Sequence, residues 1–374
     1  MTLRVLIADD AILFRRVLAD ALAALPAVEV VGSAPNGRLT IQKVRELKPD
    51  LLTLDIEMPQ MDGLAVLEAL RKSGERVEVI VVSALTRRGG DLTMRALEMG
   101  AFDFITKPEA AGPELSREAL IRELAPRLRA LAHRLEVRSI LRGRPVAASG
   151  ASPPPRTLRA PPPEDLAGVA GRMQRLAAPS RPELVLIGVS TGGPAALARL
   201  LPGIPGDLGV PLLIVQHMPP VFTQSLAESL AVRCAVKVRE AVHGERAEPN
   251  TAYIAPGGRQ MRIAAGPDGR PRIEVTDDPP ENNCRPAVDY LFRSAAHHFP
   301  GWAMAVILTG MGSDGTLGLR LLKRHGCLVI AQDEATSVVY GMPKAAVDAG
   351  VVDAVLPLEA IAARIAAAAK GWKT

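Results

Sequence analysis

Nine prolines fall between Leu141 and Pro182, in a stretch that includes PVAASGASPPPRTLRAPPPEDLAG and has almost no periodic apolar pattern. Proline keeps a chain extended and semi-stiff, and such a composition buries too little surface to fold by itself. The chain is therefore read as two globular halves joined by a linker. With 374 residues, 48% of them hydrophobic, each half is long enough for its own core. The linker also carries the excess charge. Residues 142–182 hold seven arginines against Glu164 and Asp165, which accounts for the net +5 of the whole chain. The remainder balances, and 3% aromatic residues offer few platforms for stacking bases. No nucleic-acid partner is expected.

No apolar run approaches the roughly 20 residues that a membrane span needs, so no membrane insertion is expected. The N-terminus, MTLRVLIADD, runs straight into two acids, unlike a secretory signal. Cys234, Cys284 and Cys327 are far apart and match neither a disulfide framework nor zinc spacing. They are expected to pack as small apolar groups in a reducing cytoplasm.

Both halves alternate short branched-apolar runs with amphipathic stretches, which argues parallel sheets with helices on both faces, an α/β class. In the first half the runs are LRVLIA, VEVVG, LLTLD, VEVIVV and FDFI. A helix near Ser116–Leu124 should kink or restart at Pro126, because the apolar spacing through Leu128, Leu131 and Leu135 continues beyond it. In the second half LVLIG, PLLIVQ, AYIA, AMAVILTG and GCLVIA read as buried strands. RQMRIAAGPDGRPRIEV reads as an antiparallel hairpin turning at PDG.

Five polar residues of the first half sit at successive strand ends: Asp9 and Asp10, Asp55, Ser83 and Lys107. In an open parallel sheet the carboxyl ends of the strands converge on one crevice. Clustered carboxylates need a cation, and hard oxygen ligands with room for water suit Mg²⁺. Capping explains any one of these residues; it does not explain all five.

In the second half LVLIGVSTGGP sets Ser190 between Gly188 and Gly192 in G-x-S-x-G spacing, after a strand and before a helix. Such an elbow projects a serine hydroxyl freely, although the pattern also suits a plain turn. His217 ends the strand PLLIVQ, and Asp314 follows the strand in AVILTGMGSDG among three glycines. Each alone reads as structural. Together they form a nucleophile, a general base and an orienter of the imidazole on three strand ends. The order Ser, His, Asp is not that of the α/β-hydrolases. Ester or amide hydrolysis by such a set needs no metal, and no His/Asp/Glu cluster in this half suggests one.

IADD, TLDIEMPQMDG, VVSA and DFITKP stand in the order of response-regulator receiver domains, which residues 1–124 resemble. The resemblance implies a flavodoxin-like fold and phosphorylation of Asp55 by a histidine kinase. It also implies Mg²⁺ held by Asp9, Asp10, Asp55 and the Glu57 carbonyl. Lys107 would pair with the phosphoryl oxygens, its peptide bond to Pro108 would be cis, and Ser83 and Phe104 would be the switch pair. GVSTGGP, VQHMPP, AYIAPGG, RPAVDYLF and TGMGSDG resemble the protein-glutamate methylesterase domain of chemosensory systems, over residues 183–370. Residues 125–182 remain as helical extension and linker.

The second resemblance implies hydrolysis of glutamate methyl esters on chemoreceptors with release of methanol, and deamidation of receptor glutamines. Ser190, His217 and Asp314 match its triad, with Thr191 and the Met311 N–H as oxyanion candidates. Three other readings stay open. They are a DNA-binding output, against which the strand-rich second half argues, an inactive adaptor of the same fold, and a hydrolase of a non-receptor ester.

Overall fold

The structure, a computed structural model, describes residues 2–108, 112–143 and 181–371. The proline-rich stretch expected as a linker lies mostly outside them.

The first unit contains strands β1 (Leu3–Ala8), β2 (Val28–Ala34), β3 (Leu51–Asp55), β4 (Glu78–Ser83) and β5 (Asp103–Thr106). Between and after them run α1 (Ile12–Ala23), α2 (Gly37–Leu47), α3 (Gly63–Ser73), α4 (Arg87–Glu98) and α5 (Pro113–Gly143). The sheet is parallel in the order β2-β1-β3-β4-β5. β3 is buried along its whole length, as a strand covered on both faces must be. Local chemistry sets the helix starts: Asn36, Asp62 and Thr86 each accept a hydrogen bond from an amide three residues on, which satisfies one orphan donor of the first turn.

α5 neither stops nor restarts at Pro126. It runs 31 residues with that proline inside, and so crosses the boundary placed at residue 124. Leu120, Leu124, Leu128 and Leu131 are all buried against α1 and the sheet. This continuous apolar stripe outweighs the one backbone hydrogen bond that a proline removes.

The second unit contains β6 (Leu184–Val189), β7 (Leu212–Gln216), β8 (Lys237–Glu240), β9 (Thr251–Ile254), β10 (Gln260–Ala265), β11 (Pro271–Thr276), β12 (Ala303–Ile307), β13 (Leu328–Gln332) and β14 (Ala354–Leu356). Its helices are α6 (Gly193–Leu200), α7 (Phe222–Ala231), α8 (Val288–His298), α9 (Thr316–Arg324), α10 (Met342–Asp348) and α11 (Leu358–Ala369). Seven strands form a parallel sheet in the order β14-β13-β12-β6-β7-β9-β8. β10 and β11 make the separate antiparallel hairpin. Both edge strands, β8 and β14, escaped the sequence reading because they are short and half exposed.

The two units meet. α4 packs on α6 and α7, and one apolar cluster runs through Met94, Leu97 and Phe104 into Leu200, Phe222 and Leu226. The Phe104 and Phe222 rings stack with centroids 4.7 Å apart. Polar contacts rim this apolar centre. Arg87 bonds Glu228 at 3.0 Å, and the Glu98 carboxylate accepts from Ser229 at 2.6 Å and from Arg233 at 2.5 Å.

Candidate active site

Strand order reverses around β6, with β7 on one side and β12 on the other. Ligands of open α/β sheets bind at the carboxyl ends of strands at such a switch point. Ser190 follows β6, His217 follows β7, and Asp314 lies in the loop after β12. The turn at Ser190 closes through Gly192, which takes φ +75°. A Cβ there would run into Val338, so glycine is required twice over.

His217 Nε2 lies 2.8 Å from Asp314 Oδ2. The carboxylate is fixed by the N-terminus of α8: Val288 N–H donates to Oδ2 at 2.7 Å and Asp289 N–H to Oδ1 at 3.0 Å. Gly315 N–H and the Asn282 side chain complete its shell at 3.0 and 2.9 Å. Burial disfavours the Asp314 charge, but His217 and these amides overcome it and hold the carboxyl at about 2. Burial likewise opposes a charged His217, yet the bonds to Asp314 and Cys284 raise its pKa to about 9. The pair is thus biased toward the imidazolium–carboxylate form. Asp289, which caps Gly318 N–H at 2.7 Å, is pushed up to about 6 by burial and by the neighbouring Asp314 charge.

The other imidazole nitrogen, Nδ1, faces Cys284 Sγ at 3.7 Å. Among the described residues the Ser190 hydroxyl is not a partner of the ring. Triad hydrogen bonds are often long in the free enzyme and tighten with substrate. Thr191 is buried, and its hydroxyl donates to Asp103 Oδ2 of the first unit at 3.1 Å. Asp103 also receives Arg127 Nε at 3.0 Å. Met311 lines the same cleft, and its amide donates to no protein acceptor among the described residues.

That cleft, about 980 Å³, is walled on one side by Ser190, Thr191, His217 and Met311 and on the other by Asp103, Phe104, Arg122, Glu123 and Arg127. The first unit faces the rim on which the triad candidates stand, across this cleft. The sequence reading missed Asn282, Cys284 and Asp289, and the expectation that all three cysteines pack as apolar groups fails for Cys284. A thiol 67 residues from the histidine in sequence leaves no spacing signal. For Asp289 the signal was available in RPAVDYLF, whose acid starts α8.

In the first unit Asp9, Asp10 and Asp55 bring carboxylate oxygens within 4.8 Å of one another. Lys107 Nζ lies 2.7 Å from Asp55 Oδ2 and 2.8 Å from Asp9 Oδ2. It does so across a trans peptide: among the described residues the cis bond is Arg285–Pro286, not Lys107–Pro108 as expected. The lysine reaches both acids without a cis bond. Burial pushes the Asp55 carboxyl up to about 6 in spite of Lys107, and Asp9 Oδ2 is buried without a well-aligned hydrogen bond. An all-oxygen set short of positive charge fits Mg²⁺. A cavity of about 120 Å³ beside it is lined by Asp10, Asp55, Glu57, Ser83 and Lys107. The Ser83 hydroxyl donates to Gly89 O at 3.2 Å, and Phe104 points into the interface with Phe222.

The chain matches two families: the CheB methylesterase over residues 185–365 and the response regulator receiver domain over residues 5–117. A protein-glutamate methylesterase/protein-glutamine glutaminase of Desulfotalea psychrophila is 49% identical over 364 residues, 97% of each chain. Its namesake from Nocardioides is 43% identical, across 95% of this chain and 92% of that one. The crystal structure of the Thermotoga maritima CheB methylesterase catalytic domain is 42% identical, with TM-score 0.48, and covers 50% of this chain and 97% of that one. Among the described residues no helix is long and apolar enough to cross a membrane.

Proposed function

The chain belongs to the CheB methylesterase family, a hydrolase family, with a response regulator receiver domain ahead of the catalytic domain. From that premise we propose that it is a phosphorylation-activated esterase of chemoreceptor glutamate methyl esters in the cytoplasm. It would also deamidate receptor glutamines, and a histidine kinase would supply the phosphoryl group. The observation that carries this reading is the His217–Asp314 pair, held by α8 amides, on the strand-end rim that bears Ser190.

In the proposed reaction Ser190 Oγ attacks the ester carbonyl carbon while the neutral His217 takes its proton. Negative charge moves to the carbonyl oxygen, where the Met311 N–H and the Thr191 hydroxyl would stabilise it. Collapse breaks the bond to the methoxy oxygen, which leaves as methanol with the proton from His217. Water, activated by His217, then releases the glutamate carboxylate and restores Ser190. A glutamine side chain follows the same course with ammonia as leaving group. Two features favour a resting state here: the bonds to Asp314 and Cys284 favour the charged form of His217, and Thr191 is engaged by Asp103.

In the receiver, Asp9, Asp10, Asp55 and the Glu57 carbonyl would hold Mg²⁺, which when bound neutralises charge during phosphoryl transfer. Asp55 would accept the phosphoryl group and Lys107 pair with its oxygens. Ser83 would turn from Gly89 toward the new anion, and Phe104 would follow inward, away from Phe222. The test is incubation with methyl-labelled receptor membranes, scoring volatile methanol with and without a small phosphodonor. Release that rises with phosphodonor supports the reading. Purified, folded protein that releases no methanol under either condition refutes it.

A further inference from the structure

The hydrolysis leaves Cys284 without a part, yet the fold builds its position carefully. Asn282 and Asn283 take left-handed φ values of +53° and +59°. Backbone hydrogen bonds then join Glu281 and Cys284 in both directions, at 3.1 and 2.8 Å. The thiol emerges in the cleft 3.7 Å from His217 Nδ1. His217, Cys284 and Asp314 together offer ligand atoms within 4.8 Å of one another.

Tetrahedral zinc holds sulfur at about 2.3 Å and imidazole nitrogen at about 2.05 Å, which sets those two ligand atoms about 3.6 Å apart. The thiol and the ring already stand at nearly this spacing. The far nitrogen of the ring is bonded to Asp314, giving the carboxylate–histidine arrangement that orients a metal-ligating imidazole. Thiolate with imidazole is a borderline-soft donor set, unlike the all-oxygen cluster of the receiver, and selects Zn²⁺-like ions over Mg²⁺. The open cleft leaves room for water to complete the coordination.

We propose that Cys284 and His217, backed by Asp314, form an inhibitory binding site for a thiophilic divalent cation of the Zn²⁺ type. Binding forms bonds to Sγ and Nδ1 and releases the thiol proton, and any proton on Nδ1, to solvent; no electron is transferred. The ion occupies the lone pair that would receive the Ser190 proton. The binding claim is independent of the reaction, whereas the inhibitory claim rests on the reading of His217 as general base.

The full-length chain, with excess Mg²⁺ to fill the receiver cluster, is titrated with Co²⁺ as a spectroscopic probe. One equivalent should produce a thiolate-to-cobalt charge-transfer band, which Zn²⁺ displaces. The band should vanish in Cys284→Ser and in Cys284→Ala, and persist in Cys234→Ser. In the methanol assay Zn²⁺ should inhibit, a chelator should reverse it, and Cys284→Ser should need about tenfold or more extra Zn²⁺ for half-inhibition. Absence of the band in the wild type, or its survival in both Cys284 variants, overturns the site even where methanol release is normal. A band accompanied by unimpaired hydrolysis overturns the inhibitory claim together with the role of His217 as base.

Discussion

Glu98 stands at the end of α4, remote from both reaction centres, and accepts bonds from Ser229 and Arg233 of the catalytic domain. Its side chain is 20% exposed and that of Arg233 44%. The half-exposed pair with Arg233 contributes no more than about 1 kcal/mol, and the bond from Ser229 to a largely covered carboxylate about 1.5 kcal/mol. Glu98→Ala should therefore weaken the closed arrangement by about 2 kcal/mol, a roughly 30-fold shift toward the open one. Where the closed form dominates, methanol release without phosphodonor should rise by about tenfold or more, limited by the activity of the open form. Release with saturating phosphodonor should not change, so the stimulation ratio falls. Arg233→Ala should act in the same direction, and the double variant should fall short of additivity because both remove one contact. Folded Glu98→Ala with wild-type basal release would refute the reasoning that this interface restrains the enzyme.

Ser190→Ala should abolish methanol release while thermal unfolding stays unchanged, because its hydroxyl makes no hydrogen bond among the described residues. Asp314→Asn should cost about 10⁴-fold in kcat, less than Ser190→Ala, by analogy with the serine-protease triad; an equal loss in both would argue against an orienting role. Asp55→Ala should keep basal release and lose stimulation by phosphodonor, which steady-state assays with and without phosphodonor resolve. The pH profile of chelator-treated enzyme should climb from near neutral toward about 9 as His217 becomes neutral. Stability should run the other way. The raised His217 pKa stabilises the fold fully below its unfolded value of about 6.5 and loses that contribution as pH rises through about 9. The lowered Asp314 pKa stabilises above about 4 and fails as pH falls through about 2. Melting temperatures across this range should thus decline where activity climbs, and a profile already flat below neutral would contradict a charged resting imidazole.

Strands β1, β3, β6, β7 and β12 were legible because each is a mostly apolar, buried run; Asp55 ends β3, and Asp9, Ser190 and His217 directly follow β1, β6 and β7. Periodicity cannot see where the two units touch. Thr191 bonds Asp103 across 88 residues, and neither residue carries a local sign of the other. The α8 amides around Asp314 were hidden for the same reason, since an anion site at a helix N-terminus is made by backbone, not by side-chain type. The lone proline in α5 read as a kink or a restart; the helix does not restart there, because the leucine stripe that the sequence showed on both sides of it packs as one face.

Phe104 stacks on Phe222 within one apolar cluster that joins the two units, and on the proposed reading it is the side chain that responds to phosphorylation of Asp55. An arrangement that lets phosphorylation loosen the interface must also work in reverse, because coupling between two binding events is reciprocal. On that reading, anything that wedged into the cleft and held the domains apart, a bound receptor helix above all, would favour the state of β5 in which Asp55 carries its phosphoryl group. The substrate would then raise the share of the enzyme that carries the signal that admitted it. Enzyme engaged on receptors would be more fully switched on than enzyme free in solution at the same supply of phosphodonor, with no additional component needed to tell the two apart.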